Sequence, residues 1–189
     1  MSSHHIVREK QEPALLILGL DQFTDEELGQ LLEWSPTVIA VSAMAEQLAI
    51  YDIKVDYIIG DEGFSIAQSD VKTLKSAGKP LLNAALEFLI EQGYPAVNIV
   101  TSGFDFKTYQ AYVGKIDWVV FCNQQKIYPI MSGFSKWKPA GELIEILGPS
   151  IELLEEGLAP LTHNQYSTTN DGFFKLTFKE PYLMIAERY

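Results

Sequence analysis

Short apolar runs alternate with segments of helical periodicity through the first two thirds of the chain, and this alternation restricts the fold more than any other feature. The runs at 14–20, 37–43 and 55–59 are each followed by a helix-like segment. Strands that alternate with helices indicate a parallel sheet with helices on both faces, as in Rossmann-like α/β proteins. The predicted helices are 25–33, 44–51, 67–77, 83–92 and 104–113, and the later strands of this part are 96–100 and 118–121.

Two helix ends have recognisable capping signals. Thr24 is followed three residues later by Glu27, which is the spacing of a capping box. Gly93 follows the predicted helix 83–92, where a glycine is typical of a C-terminal cap. Both signals support the predicted helices.

The pattern changes near residue 123. Beyond it the apolar runs are short, no long helical period remains, and glycine or proline separates the runs. Antiparallel strands in a small β-sandwich account for this pattern most simply. We therefore predict an α/β domain at 1–123 and a β-sandwich domain at 124–189, packed directly because no linker separates them. The predicted strands of the second domain are 126–131, 142–147, 173–178 and 182–186.

Charge and composition exclude several classes of partner. Twenty-five acidic and 14 basic residues give a formal charge of −11, which disfavours binding to nucleic acid or to an anionic membrane. No apolar run approaches the roughly 20 residues that span a bilayer. The single cysteine, Cys122, lies in an apolar run and excludes an intramolecular disulfide. We expect a cytoplasmic protein.

A candidate metal site follows the third predicted strand. The apolar run 55–59 ends in Gly60, and Asp61 and Glu62 follow directly. Ligands of open α/β sheets bind beyond the carboxyl ends of the strands, and Mg²⁺ bound to phosphates commonly takes one or two carboxylates. Asp61 and Glu62 are therefore candidate catalytic residues, with Asp61 as a metal ligand. The alternative is that both acids stand at a helix N-terminus and complement the helix dipole.

The order of the two halves, with Ile58-Ile59-Gly60-Asp61 in the first and Ser167-Thr168-Thr169-Asn170 in the second, resembles the thiamine pyrophosphokinase family. The resemblance extends from about Leu15 to the end of the chain. It implies transfer of a pyrophosphoryl group from ATP to thiamine with Mg²⁺, in a homodimer. It also implies a nucleotide crevice in the first domain and a thiamine site where the sandwich of one subunit meets the other subunit.

The acidic motifs of that family are only partly present. The family's Gly-Asp-x-Asp-Ser segment is matched at Gly60 and Asp61, but its second aspartate falls on Gly63, which leaves Glu62 as a substitute. An aspartate-glycine turn nineteen residues before Asp61 falls on Ser42. A serine hydroxyl does not replace the negative charge that holds a metal ion.

Two further motifs are absent. The acids of an Asp-x-Thr-Asp helix start fall within 81–84, which contains none. A glycine-rich loop with arginine, aspartate and histidine falls on 101–109, where none of the three stands at its expected place. Catalysis of phosphoryl transfer depends on positioning and on metal ions, so the resemblance implies weak or absent activity.

The second domain retains more of the pattern. The family's Ser-Asn pair, which contacts thiamine, is matched by Thr169-Asn170. We predict that Ser167, Thr168, Thr169 and Asn170 bind the ligand and that Trp137 stacks on its ring. The same residues are also a typical turn between strands.

Three hypotheses follow. The first is a catalytically degenerate relative that binds thiamine or a similar heteroaromatic molecule. The second is an active kinase that uses Mg²⁺ and ATP with rearranged metal ligands: Asp61, Glu62 and Asp105. The third is a scaffold or subunit partner without a ligand.

Overall fold

The computed structural model describes residues 10, 12–61, 68–150 and 152–189. The chain forms two compact units. The first contains the residues up to Gly103 together with Tyr112–Trp118, and the second contains Phe104–Ala111 and Val119–Tyr189. The units divide between Trp118 and Val119, and the segment Phe104–Ala111 belongs to the second unit.

The first unit is built on a parallel sheet. Its strand order is β5-β1-β2-β3-β4, and every neighbouring pair in it is parallel. All four residues of β1 and of β2 are buried, because strands in the middle of a parallel sheet have no face in water. This sheet confirms the predicted α/β class. The strands are β1 (Ala14–Ile17), β2 (Val38–Val41), β3 (Tyr57–Ile59), β4 (Lys72–Leu74) and β5 (Ala96–Val100).

The helices of the first unit begin and end as the capping signals predict. Thr24 accepts a hydrogen bond from the Glu27 backbone N–H, and the Glu27 carboxylate accepts one from the Thr24 N–H, which completes the capping box. Gly93 has a φ of 73°, so it ends the third helix in the left-handed conformation that favours glycine. The helices are α1 (Asp25–Leu32), α2 (Ala45–Ile50) and α3 (Leu81–Glu91), with a 3-10 turn at Ser42–Met44.

The predicted helix at 67–77 is wrong in the part that the structure describes. Instead, β4 pairs in parallel with β3. Val71 and Thr73 are β-branched and favour extended backbone. The side chain of Gln68 donates to the Ile53 carbonyl and accepts from the Val55 N–H, which ties the segment to the residues before β3. Helical spacing of apolar residues was therefore outweighed by pairing with β3.

The second unit contains two antiparallel sheets. One has the order β11-β12-β9-β14-β7-β6, and the other has the order β10-β13-β8. A short helix, α4 (Phe106–Gln110), also belongs to this unit. The strands are β6 (Asp117–Cys122), β7 (Gln125–Ile130), β8 (Phe134–Lys138), β9 (Leu143–Leu147), β10 (Leu154–Glu156), β11 (Leu158–Pro160), β12 (Gln165–Thr168), β13 (Gly172–Thr177) and β14 (Leu183–Arg188).

The two sheets of the second unit share one apolar core, which confirms the predicted β-sandwich. Alternate residues of β13 face inward, so Phe174 and Leu176 are buried while Phe173 and Lys175 are exposed. The buried members of this core are Ile130, Ile144, Ile146, Leu158, Phe174, Leu176, Phe178, Leu183 and Ile185.

Four sandwich strands, β8, β10, β11 and β12, were not predicted. β10 and β11 have three residues each, too few for a period to be visible. In β8 the inward positions hold Lys136 and Lys138, so the strand lacks the apolar alternation that indicates a half-buried strand.

These two lysines surround a buried carboxylate. Only 2% of the Glu187 side chain is exposed, and Lys136 Nζ donates to its Oε1. Lys138 Nζ lies 2.9 Å from Oε2, and the Tyr128 hydroxyl donates to Oε1 at 3.1 Å. One end of the sandwich interior is therefore ionic and not apolar.

None of the helices in the described part of the chain is both long enough and apolar enough to cross a membrane.

Candidate functional site

The strand order of the first unit defines a crevice. The chain proceeds from β1 to β2, β3 and β4 on one side, and β5 lies on the other side of β1. Connections after β1 and β5 therefore diverge, and open α/β sheets bind ligands at such a switch point, beyond the carboxyl ends of the strands. The loops after Ile17 and Val100 form the mouth of this crevice.

These two loops approach each other closely. A Cβ atom on Gly19 would lie 2.6 Å from Ser102 Oγ, so a larger residue there would require the Ser102 hydroxyl to move. Ser102 Oγ donates a 2.6 Å hydrogen bond to Asp21 Oδ2. Asp21 and Ser102 were not predicted, although a glycine within three residues of each strand end was a usable signal.

Asp61 lies directly beyond β3, at the same sheet edge, as its sequence position predicts. Its Oδ1 accepts hydrogen bonds from the backbone N–H of Ser76 at 2.8 Å and of Ala77 at 3.1 Å. Its Oδ2 accepts one from the hydroxyl of Ser76. These bonds, with that of the Ser76 hydroxyl the strongest, hold the pKa of Asp61 below its ordinary value. Asp61 is therefore an anion that anchors the turn before α3.

Little carboxylate chemistry surrounds Asp61 among the described residues. No group of three histidine, cysteine, aspartate or glutamate side chains among them is arranged to hold a metal ion. Three protein donors already bind the carboxylate of Asp61, and Glu62 lies outside the described residues. Ser42 begins the 3-10 turn after β2 and contributes no charge.

Asp105, the third acid of the active-kinase hypothesis, caps α4 in the second unit. Its carboxylate accepts hydrogen bonds from the Thr108 N–H at 3.0 Å and from the Thr108 hydroxyl at 2.5 Å. These bonds lower the pKa of Asp105. Its local contacts are those of an N-cap residue.

In the second unit, Thr168 is buried and joins two loops. Its hydroxyl donates to the Pro139 carbonyl at 2.5 Å and accepts from the Glu142 N–H at 2.9 Å. Its backbone continues the ladder, with Thr168 N–H donating to the Glu142 carbonyl. The Thr168 side chain therefore fixes the 139–142 turn beside the turn that follows β12.

Replacing Thr168 with valine is expected to lower the free energy of unfolding by about 1–3 kcal/mol, because the Glu142 N–H and the Pro139 carbonyl lose their hydroxyl partner. Urea denaturation of the purified variant measures the change. Ser167→Ala is the control, since Ser167 is half-buried and has no side-chain hydrogen bond among the described residues. Equal losses in both variants would contradict the role assigned to Thr168.

The predicted ligand residues of the second unit do not all face one side. Ser167 and Thr168 are neighbours on β12, so their side chains point to opposite faces of the sheet. Thr169 and Asn170 are exposed in the following turn, where Asn170 Nδ2 donates to Thr169 Oγ1 at 3.2 Å. The structure therefore places Thr169 and Asn170 together and separates them from the side chain of Thr168.

Trp137 lies at the same end of the three-stranded sheet as this turn. It pairs directly with Phe173, and the next pair along, Gly172 with Lys138, adjoins the turn. Trp137 is 53% exposed and Phe173 is 73% exposed, both on the outer face. Two exposed aromatic rings therefore lie near the exposed amide of Asn170. Phe173 follows Asn170 by three residues, and Trp137 is paired with Phe173 on the neighbouring strand. Phe173 was not predicted as a ligand residue. In the pair Phe173-Phe174, only the alternation of side chains between the two faces of the strand decides which ring is buried.

An α/β unit with a switch-point crevice, followed by a β-sandwich unit, is the architecture of a class of solved kinases. The thiamine pyrophosphokinase of Bacillus subtilis matches with a TM-score of 0.66 and 15% identity, over 94% of this chain and 99% of that one. That of Geobacillus thermodenitrificans matches with 0.66 and 12%, over 93% and 97%. That of Candida albicans matches with 0.61 and 14%, over 94% and 90%. The chain has the thiamine pyrophosphokinase fold.

No protein-family model matches the chain, and no curated protein does. Identities of 15% or less fit a strongly divergent relative.

Proposed function

We propose that this chain is a thiamine pyrophosphokinase-like protein that binds thiamine or a related heteroaromatic molecule and has lost efficient pyrophosphoryl transfer. The observation that carries the proposal is the state of Asp61. Its carboxylate stands where the fold leads one to expect a metal ligand, but it is bound by two backbone N–H groups and one hydroxyl. Reorganising it toward Mg²⁺ would release Ser76 and Ala77 and disrupt the turn before α3.

The ligand site that we propose consists of Thr169, Asn170, Trp137 and Phe173. An amide and a hydroxyl can recognise an aminopyrimidine by directional hydrogen bonds. Exposed aromatic rings attract a cationic ring such as a thiazolium. Thr168 supports this site by fixing the adjacent turns, and Ser167 faces the other side of its strand.

A second copy of the chain is part of the proposal. Trp137, Phe173 and Leu154 are all more than half exposed on the outer face of the three-stranded sheet. Large exposed apolar patches mark binding surfaces. A site shared with the partner subunit would enclose a ligand that the outer face alone leaves open to solvent.

Calorimetric titration with thiamine tests the proposal. We expect saturable binding, and at a thiamine concentration of about 100 times Kd the fold should gain roughly 2.7 kcal/mol. Asn170→Ala and Trp137→Ala should each weaken binding at least tenfold, because they remove the amide and the larger ring. Asn164→Ala is the matched control, since this amide bonds to the side chains of Glu145 and Thr162 and is not part of the proposed site.

The outcomes separate the hypotheses. Binding that survives Asn170→Ala and Trp137→Ala would place the ligand elsewhere and overturn the site. No binding of thiamine, pyrithiamine or oxythiamine would leave only the scaffold hypothesis. Sedimentation of the protein with and without thiamine measures whether two copies of the chain associate, and so tests the proposed dimer.

A further inference from the structure

A second concave site lies in the first unit, at the edge of the sheet opposite to the crevice. It is a hollow of about 670 Å³. Residues at or just before the amino ends of all five parallel strands contribute to it, among them Glu12, Thr37, Asp56, Lys72 and Tyr94. Its volume is within the range of about 300–1,000 Å³ that is typical of small-molecule sites.

Aromatic rings line the hollow. Trp34 is 67% exposed, which is unusual for the largest apolar side chain. The Tyr57 and Tyr94 rings are covered by lysines, with Lys72 Nζ 5.4 Å from one ring centroid and Lys10 Nζ 4.9 Å from the other. Trp34 therefore has the accessible ring on which a flat ligand group could stack.

The charges of the hollow are balanced but not paired. It contains Lys10, Lys54 and Lys72 together with Glu12, Asp56 and Asp70. Within the described ranges, none of these ammonium groups lies within 4.0 Å of a carboxylate.

Two of these charged groups already make hydrogen bonds within the protein. Lys10 Nζ donates to the Gln92 carbonyl, and Asp56 Oδ2 accepts from the Val38 N–H at 2.9 Å. Lys72 lies over the Tyr57 ring, and Lys54, Glu12 and Asp70 remain available to a ligand.

We propose that this hollow binds a small zwitterion with a flat ring, of the class of the aromatic amino acids. Cations and anions that line one hollow without contact are suited to a ligand that carries both an ammonium and a carboxylate. A purely anionic ligand would be opposed by the net charge of −11. In the complex, the ligand ring stacks on Trp34, its carboxylate contacts Lys54, and its ammonium contacts Asp70.

Three compounds with the same ring and chain test the proposal: L-phenylalanine, 3-phenylpropionate, which lacks the ammonium, and phenethylamine, which lacks the carboxylate. Fluorescence is recorded in a Trp137→Phe background, so that Trp34 is the exposed tryptophan, because Trp118 is only 2% exposed. L-Phenylalanine should change the emission saturably with a Kd below about 1 mM. Each of the other two compounds should bind at least tenfold more weakly.

Variants locate the site. Lys54→Ala and Asp70→Asn should each weaken L-phenylalanine binding at least tenfold, and asparagine tolerates the φ of 65° at position 70. Lys115→Ala is the matched control, because Lys115 is, like Lys54, an exposed lysine of the first unit but does not line the hollow. Circular dichroism confirms that each variant is folded.

Four results would overturn the proposal: no saturable change up to about 1 mM L-phenylalanine, equal binding of all three compounds, unchanged binding in Lys54→Ala and Asp70→Asn, or an equal loss in Lys115→Ala. Thiamine should not compete with L-phenylalanine, so the outcome is independent of the function proposed above.

Discussion

Glu187→Gln is expected to lower the free energy of unfolding by about 3 kcal/mol at pH 7. The glutamine keeps the size of the side chain but removes the charge that Lys136 and Lys138 share inside the sandwich. Lys138, with only 15% of its side chain exposed, would then keep only the longer ion pair with the partly exposed Glu142, at 3.7 Å. Removing one member of a buried ion pair typically costs about 3–5 kcal/mol, and the partial exposure of Lys136 reduces that figure. Urea unfolding measures the change.

The same carboxylate makes stability depend on pH. Burial raises the pKa of Glu187, but the hydrogen bonds and charges of Lys136 and Lys138 outweigh it and hold that pKa below its ordinary value of 4.5. A lowered folded-state pKa stabilises the fold above the unfolded-state pKa, and this stabilisation is lost as the pH falls through the folded-state pKa. The difference between the natural protein and Glu187→Gln should therefore be largest at neutral pH and shrink below pH 4.5.

Glu156→Gln is the control for this prediction. Glu156 and Lys175 form an exposed ion pair at 3.7 Å in the same sandwich. Exposed pairs contribute about 0–1 kcal/mol. A loss in Glu156→Gln as large as that in Glu187→Gln, or a difference that persists in acid, would contradict the role assigned to the buried cluster.

The main architecture follows from the sequence because local patterns and tertiary packing agree there. β1 and β2 are central parallel strands, buried on both faces, and continuous apolar runs such as Ala14–Ile17 identify such strands. Thr24 and Glu27 satisfy each other's backbone within three residues, so that helix start needs no tertiary information. Patterns of this kind are complete within a short window of sequence.

Elements that depend on distant partners were missed. The strand β4 is extended because it pairs with β3, and Gln68, just before β4, bonds to Ile53 fifteen residues earlier in the chain. The lysines of β8 face inward only because Glu187 lies fifty-one and forty-nine residues later in the chain. Neither partnership leaves a local signal.

The candidate site, too, was predictable only where it depends on local sequence. The position of Asp61 at the carboxyl end of a strand was predictable, but its engagement with Ser76 depends on how the chain returns after β4. Alternation along β12 separates Ser167 from Thr168, which a motif of four adjacent residues cannot show. The hollow beside Trp34 collects residues from all five parallel strands, so no contiguous motif describes it.

Because Ser76 and Ala77 bind the carboxylate of Asp61, we expect a large effect on the rate of pyrophosphoryl transfer. Transfer of a phosphoryl-type group depends on metal ions that neutralise developing charge and on exact positioning. A single lost electrostatic stabiliser costs roughly a hundredfold in rate, and losses at residues that act together do not multiply. Asp61 is bound to the turn before α3, and Ser42 carries no charge at the end of β2.

Incubated with ATP, Mg²⁺ and thiamine, the protein is therefore expected to form AMP at least roughly a hundredfold more slowly than the Bacillus subtilis thiamine pyrophosphokinase assayed beside it. Asp61→Asn should leave this residual rate unchanged while lowering the thermal midpoint, because the asparagine amide keeps one acceptor but loses the charge that Ser76 and Ala77 bind. The Ser76→Ala variant is the matched control, since it weakens the same anchor without touching a carboxylate. Rates within tenfold of the Bacillus subtilis enzyme, abolished by Asp61→Asn but not by Ser76→Ala, would show instead that Asp61 holds a metal ion and that the chain is an active kinase.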